Sequence, residues 1–152
     1  MRKSEREITD RAAIDDVIRR AKVCRLGLCD DGQPYVVPVC FGYDGKAFYC
    51  HSATEGRKLD VIRKNSHACV EIDIDQELKT GDKACACGMS YRSVIAFGTA
   101  SIVAEAGARR QALDVLMQHY TDGPFSYSEE ALGKTSVIRI DIESITGKQS
   151  GY

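Results

Sequence analysis

Apolar residues recur along this chain with two different periods, and the switches between them mark out its elements. Behind Thr9 or Asp10 as N-cap, Ile14, Val17, Ile18 and Ala21 fall at i, i+3, i+4 and i+7, which predicts an amphipathic helix. Residues 23–29 (VCRLGLC) predict a strand, closed by the turn signal DDGQP. Residues 35–43 (YVVPVCFGY) predict a second strand, in which Pro38 points to an edge, a bulge or an opening of the ladder. Asp44-Gly45 signals a two-residue hairpin into a third strand over 47–52 (AFYCHS). A short helix is expected from Arg57 to Lys64, with Leu59 and Ile62 on its apolar side and Asn65 as its stop.

Residues 67–73 (HACVEID) predict a fourth strand, followed by a charged, Gly-containing loop over 74–89. The fifth strand, 91–103, carries Gly98 in its interior, the mark of a bend or bulge. Leu113, Leu116, Met117 and Tyr120 repeat the helical spacing, a loop covers 121–134, and 135–142 (TSVIRIDI) predict a sixth strand. Six strands joined mostly by short connections require antiparallel pairing, because parallel neighbours need long crossovers. Several strands are apolar on both faces, which favours a barrel whose outside is covered by a second copy of the chain. The expected class is mainly β with peripheral helices, a six-stranded antiparallel split β-barrel that forms a homodimer.

Composition narrows the function. The 152 residues form one domain over 1–152, and a formal net charge of -1 gives no reason to expect nucleic acid or an anionic membrane as partner. No apolar run approaches the ~20 residues of a membrane span, and the N-terminal segment has no signal-peptide core, so a cytoplasmic location is expected. The seven cysteines are an odd number without a secretion signal, which argues against a disulfide framework. Five lie in apolar strand-like runs and read as packing residues; Cys85 and Cys87 lie in the polar loop, where no second pair or histidine completes a metal site.

One stretch carries chemistry. Between Phe48 and Asn65 a strand ends at His51-Ser52, a loop contains Gly56, and a helix starts on Arg57-Lys58. Backbone N–H groups of a helix start, a guanidinium, an ammonium and the Ser52 hydroxyl converge there, a donor set suited to a phosphate monoester. Solvated helix cations would also account for Arg57 and Lys58, but positive charge at a helix start is unfavourable unless an anion offsets it. His67 and His119 have no partner motif and read as structural, and Glu71 and Asp73 share one face of a strand as a solvated rim.

These residues resemble the FMN-binding split barrels related to pyridoxamine 5'-phosphate oxidase. The resemblance runs through DGQPYVVPVCFGYDGKAFYCHSATEGRK and SVIAFG, while AKVCRLGL, GDKACACGMSYRSVIAFG and IRIDIESITGK are similar to the nitroimidazole-resistance (Nim-type) branch. It implies that Val37, Pro38, Val39 and Cys40 line a flavin ring, that Tyr49, Cys50, His51 and Ser52 approach its edge and ribityl chain, and that Arg57 and Lys58 hold the FMN phosphate. It further implies a polar flavin contact at Ser93, a place near the active site for His51, and a homodimer with FMN at the subunit interface. Where the oxidase proper carries Arg and Lys, this chain has Val37 and Gly42, and it lacks that enzyme's Trp- and Arg-containing ending. The expected activity is therefore an FMN-dependent oxidoreductase reducing nitroaromatic or similar compounds, with FAD the other compatible flavin. Flavin binding without turnover, for storage or sensing, is the alternative; haem or deazaflavin on the same barrel is a third reading.

Overall fold

The computed structural model describes residues 4–152. Its centre is one antiparallel sheet of eight strands: β1 (Glu7–Ile8), β2 (Cys24–Asp30), β3 (Gln33–Val39), β4 (Gly42–Tyr43), β5 (Ala47–Ala53), β6 (His67–Lys79), β7 (Gly88–Ile102) and β8 (Thr135–Ser150). Four helices accompany it: α1 (Arg11–Arg20), α2 (Arg57–Lys64), α3 (Ala106–Gln118) and α4 (Glu129–Gly133). The strands run in the order β3-β2-β6-β7-β8-β5-β4, with β1 added on β8. β3 and β4 are consecutive in sequence yet lie at opposite ends of that order, so the sheet is not closed. This is the split barrel, with eight strands where six were expected. No helix among the described residues is long and apolar enough to cross a membrane.

The split has a local cause. The 35–43 run, expected as one strand, leaves the β2 ladder after Val39. Phe41 turns fully into the core, and its backbone N–H donates to the Tyr120 hydroxyl (2.9 Å) instead of to a strand. Gly42 then passes against α3 so closely that a Cβ there would lie 2.5 Å from the Leu116 backbone. The chain resumes as β4, and the Asp44-Gly45 hairpin forms as expected, with Gly45 at φ 90°.

The sixth strand and the 74–89 loop come out longer and more ordered than the sequence pattern implied. β8 continues past Ile142 to Ser150, because Glu143 is an extra residue opposite the Phe97/Gly98 step and shifts the alternation by one. In the same way Asp75 (φ 57°) inserts a bulge into β6, beyond which β6 and β7 pair as far as Lys79 and Gly88. The Asp75 carboxylate accepts from Arg20 (2.5 Å) and Arg92 (2.6 Å), and its carbonyl accepts from the Tyr152 hydroxyl (2.7 Å). Within the expected 121–134 loop, Ser128 caps the short α4 by accepting from the Ala131 N–H.

Two apolar clusters follow from the alternation of β5 and β8. Phe48, Cys50, Ile138 and Ile140 point into the barrel, where they meet Ile14, Val17 and Ile18 of α1, Leu59, Val61 and Ile62 of α2, and Leu26, Val70, Ile72 and Val94 of the other wall. Fully burying each such aliphatic or aromatic side chain contributes about 1.5–3 kcal/mol, enough to hold both helices on the sheet. The intervening residues Ala47, Tyr49 and Val137 point outward and are covered by Ala112 and Leu113 of α3 and Leu132 of α4.

Candidate functional site

The split leaves a mouth where β3, the end of β5 and the start of α2 meet. β3 is an edge strand, with Tyr35, Val37 and Val39 packed against the core and Pro34, Val36 and Pro38 turned out. Gly56 precedes α2 at φ 135°, with open space around it and no side-chain cap on the helix. The carbonyl of Gly56 accepts from Leu59 and Asp60, so the N–H groups of Arg57 and Lys58 are left as outward donors. The Arg57 guanidinium lies over the Tyr35 ring, 4.5 Å from its centroid, and 3.6 Å from Asp30. Its side chain remains 55% exposed, so it retains donors for another anion. Lys64 stands 3.6 Å from the same Asp30, leaving the mouth with an excess of positive charge once Lys58 is included.

Cys50 sits behind this mouth. Its thiol is fully buried, and hydrogen bonding to the Cys24 thiol, together with burial, pushes it well up, against the opposing field of Lys58. Cys40 lies exposed just past the end of β3. All seven cysteines are free; Cys24 and Cys50 are buried, while Cys40, Cys85 and Cys87 are exposed. In the native protein at pH 8, iodoacetamide is therefore expected to modify those three exposed thiols first. Cys24 and Cys50 should stay unmodified until denaturant is added. Peptide mass mapping checks this, and early alkylation of Cys50 would contradict the packing described.

The expected site residues do not all come to one place. Cys50, Arg57 and Lys58 gather at the mouth, and Ser52 follows Cys50 by one alternation on the same side of β5. The Tyr49 and His51 side chains point to the other side. Tyr49, 7% exposed, donates to Asp44 Oδ2 (2.8 Å), and burial, with that bond, pushes its phenol up to about 12. Its backbone is paired in the sheet, with Gly42 of β4 on one side and Arg139 of β8 on the other. His51 borders a cavity of ≈ 210 Å³ beneath α3 and α4. Ser93 lies on the outer face of β7, between Asp73 of β6 and Lys148 of β8. His119 is structural, its Nε2–H donating to the Ala21 carbonyl (2.7 Å) while its ring packs on Phe41. Neither Tyr35 nor Asp30 was expected at the mouth; the spacing of Tyr35 from Val37, two residues apart on one face, was the available signal.

Asp44 anchors the β4–β5 turn. Oδ1 accepts from the Lys46 (2.8 Å) and Ala47 (2.7 Å) N–H groups and Oδ2 from Tyr49. Burial alone would raise its pKa, but these donors hold the carboxyl below its usual value. A depressed carboxylate stabilises the fold above its ordinary pKa, and that contribution is lost as pH falls through the lowered value. Asp44→Ala should thus lose about 1–2 kcal/mol at pH 7, with the difference from wild type shrinking toward pH 3. Urea unfolding at both pH values measures it, and a difference independent of pH would contradict it.

The outer face of the other wall is distinct. Arg25 of β2 pairs with Asp73 and lies 3.7 Å from Glu71, so the two acidic residues form a solvent-accessible rim that flanks a cation. Burial, with the charge of Asp73, pushes Glu71 up. Beside them a cavity of ≈ 380 Å³ is bounded by Gly27, Cys69, Val36 and Phe97, the last two 61% and 56% exposed.

Comparison with known proteins places this architecture. A structure described provisionally as a 5-nitroimidazole antibiotic resistance protein, from Bacteroides thetaiotaomicron, is 33% identical, with a TM-score of 0.84 over 94% of this chain and 86% of that one. The FAD and heme binding protein from Mycobacterium smegmatis shares the fold at 23% identity (TM-score 0.87, covering 97% of this chain and 74% of that one). So does the flavocytochrome Anf3 from Azotobacter vinelandii, at 17% identity (TM-score 0.87, 100% and 72%). An uncharacterized protein of Rhizobium meliloti is 32% identical over 65 residues, and the match spans 43% of this chain and 42% of that relative's length. Residues 10–149 match the family described as pyridoxamine 5'-phosphate oxidase, and the chain belongs to that family.

Proposed function

We propose that this chain is an FMN-dependent oxidoreductase that reduces nitroaromatic or similar small acceptors. The observation that carries the reading is the uncapped start of α2, which presents two free N–H groups, Arg57 and Lys58 at the mouth of a split barrel. That donor set fits a dianionic phosphate monoester, whereas a flavin lacking the phosphate would leave it uncompensated. Tyr35 and Asp30 hold the Arg57 fork in place, so less orientational freedom is lost on binding. The open edge of β3 offers backbone groups to the ring, and the apolar inner side of the mouth keeps water from it. A bound flavin supplies the hydride and electron transfer, and the protein supplies orientation and electrostatics. The B. thetaiotaomicron relative points to nitroimidazoles as the acceptor class; the mycobacterial protein is by its name an FAD and haem binder, and the Azotobacter protein by its name a flavocytochrome.

A second copy of the chain completes the site in this reading. The exposed Val36, Ile95 and Phe97 and the flanked Arg25 form a face suited to a partner, and Ser93 on that face would reach the flavin of the other subunit. Seven free thiols suit a reducing, cytoplasmic setting. The test is spectroscopic. The purified protein should show flavin absorption that bleaches with NADH or NADPH and returns on adding a nitroimidazole, with a dimer in sedimentation. A flavin that neither reductant bleaches would assign binding without turnover, and failure to bind any flavin would overturn the reading.

A further inference from the structure

From the cavity between α3, α4 and β5 we infer a second ligand site, for an uncharged single-ring aromatic molecule bearing a hydroxyl group. The site lies on the opposite face of β5 from the mouth. Its walls are the side chains of Leu113, Leu116 and Met117 from α3, Leu132 from α4, and the Tyr127 ring. Its volume of ≈ 210 Å³ exceeds the ~150 Å³ at which an apolar protein cavity takes up benzene, so it accommodates one ring with a small substituent but not two fused rings with side arms. The three leucines are at most 8% exposed, so the walls are set by packing that exists without the ligand. The Met117 thioether adds a soft contact suited to an aromatic face.

The polar groups decide the class. No carboxylate, ammonium or guanidinium lines the cavity, so a charged ligand would lose hydration without compensation. The Tyr127 hydroxyl already donates to Asp114 (2.9 Å), and the Thr135 hydroxyl to the Ala131 carbonyl (2.8 Å). His51, at the end of β5, is the remaining polar side chain of the lining, and none of its ring nitrogens has a hydrogen-bond partner among the described residues. A neutral imidazole carries one acceptor nitrogen, which a phenolic hydroxyl can satisfy while its ring occupies the apolar slot. His51 is exposed, so water meets its ring in the empty site; a ring without a hydroxyl would displace that water and put no hydrogen bond in its place.

The test titrates the purified full-length chain at pH 8 with p-cresol, toluene and benzoate, followed by NMR. We expect saturable p-cresol binding, with nuclear Overhauser contacts from the ligand ring to the Met117 methyl group and the His51 ring. His51→Phe should weaken p-cresol about three- to tenfold, the worth of one hydrogen bond, and leave toluene within about twofold. Ala131→Phe, which fills the slot from the exposed side of α4, should weaken both at least about fivefold. Benzoate should bind at least about tenfold more weakly than p-cresol. Contacts to Met117 and His51 in the wild type are independent of whether either variant folds. Absence of those contacts, tight benzoate binding, or equal loss of p-cresol and toluene on replacing His51 would each overturn the assignment.

Discussion

Replacing both Arg57 and Lys58 by alanine is expected to weaken FMN binding at least about tenfold while changing riboflavin binding by less than about twofold. Only FMN carries the phosphate, so the difference between the two ligands isolates the charge-assisted contacts. Each such contact is worth about 1.5–3 kcal/mol, and loss of two exceeds a factor of ten even after screening at an exposed site. The barrel should be little affected, because Arg57 is largely exposed and Lys58 half-buried while Leu59, Val61 and Ile62 hold α2 down. Fluorescence titration with each flavin gives the answer. Equal loss for both ligands would mean that these residues support the fold and the phosphate sits elsewhere. Replacing Asp30 by asparagine makes a useful companion, since it releases the Arg57 fork without removing its charge.

Gly98→Ala should destabilise the protein by about 3 kcal/mol, the largest effect expected of any single methyl added to this chain. At the Phe97/Gly98 step β8 carries its extra residue, and the backbone of β8 is drawn in against Gly98. A Cβ there would overlap the Asp141 carbonyl oxygen and stand 2.9 Å from its carbon. Those are ladder atoms of the neighbouring strand, so relief requires moving backbone in the two longest strands together. Gly88→Ala is the control: nothing lies within 4 Å of the added methyl, and its effect should stay within about 0.5 kcal/mol. Urea midpoints of the two variants should differ widely. A Gly98→Ala variant as stable as wild type would show that the bulge is plastic.

The strands and helices that keep a single period were legible from residue types alone. The helix around Ile14, Val17 and Ile18, the strand ending at Cys29, and the helix from Arg57 to Lys64 all lie where apolar spacing put them. What escaped were places where one residue breaks the phase. Asp75 and Glu143 each insert a step into an alternation of period two, and beyond each the pattern reads as loop although the ladder continues. The break after Val39 was half legible: Pro38 announced an irregularity, but the partner that replaces the ladder is Tyr120, 79 residues away from Phe41. The basic start of α2 was readable because its parts are adjacent in sequence at 52–58. The pairing of Arg57 with Tyr35 and Asp30, and the cavity that gathers His51 with Met117 and Tyr127, depend on contacts between distant elements. No local pattern encodes them.

The two prolines of β3 bear on how this molecule survives crowding. Proline sits in an edge strand where the missing N–H would face away from the ladder. Of the three outward residues Pro34, Val36 and Pro38, only the valine can therefore offer a donor to an incoming strand. A foreign β-segment approaching the open side of the split would find two of these three donors missing. That gap blunts fibril-like stacking along an otherwise apolar rim while leaving the rim's carbonyls free.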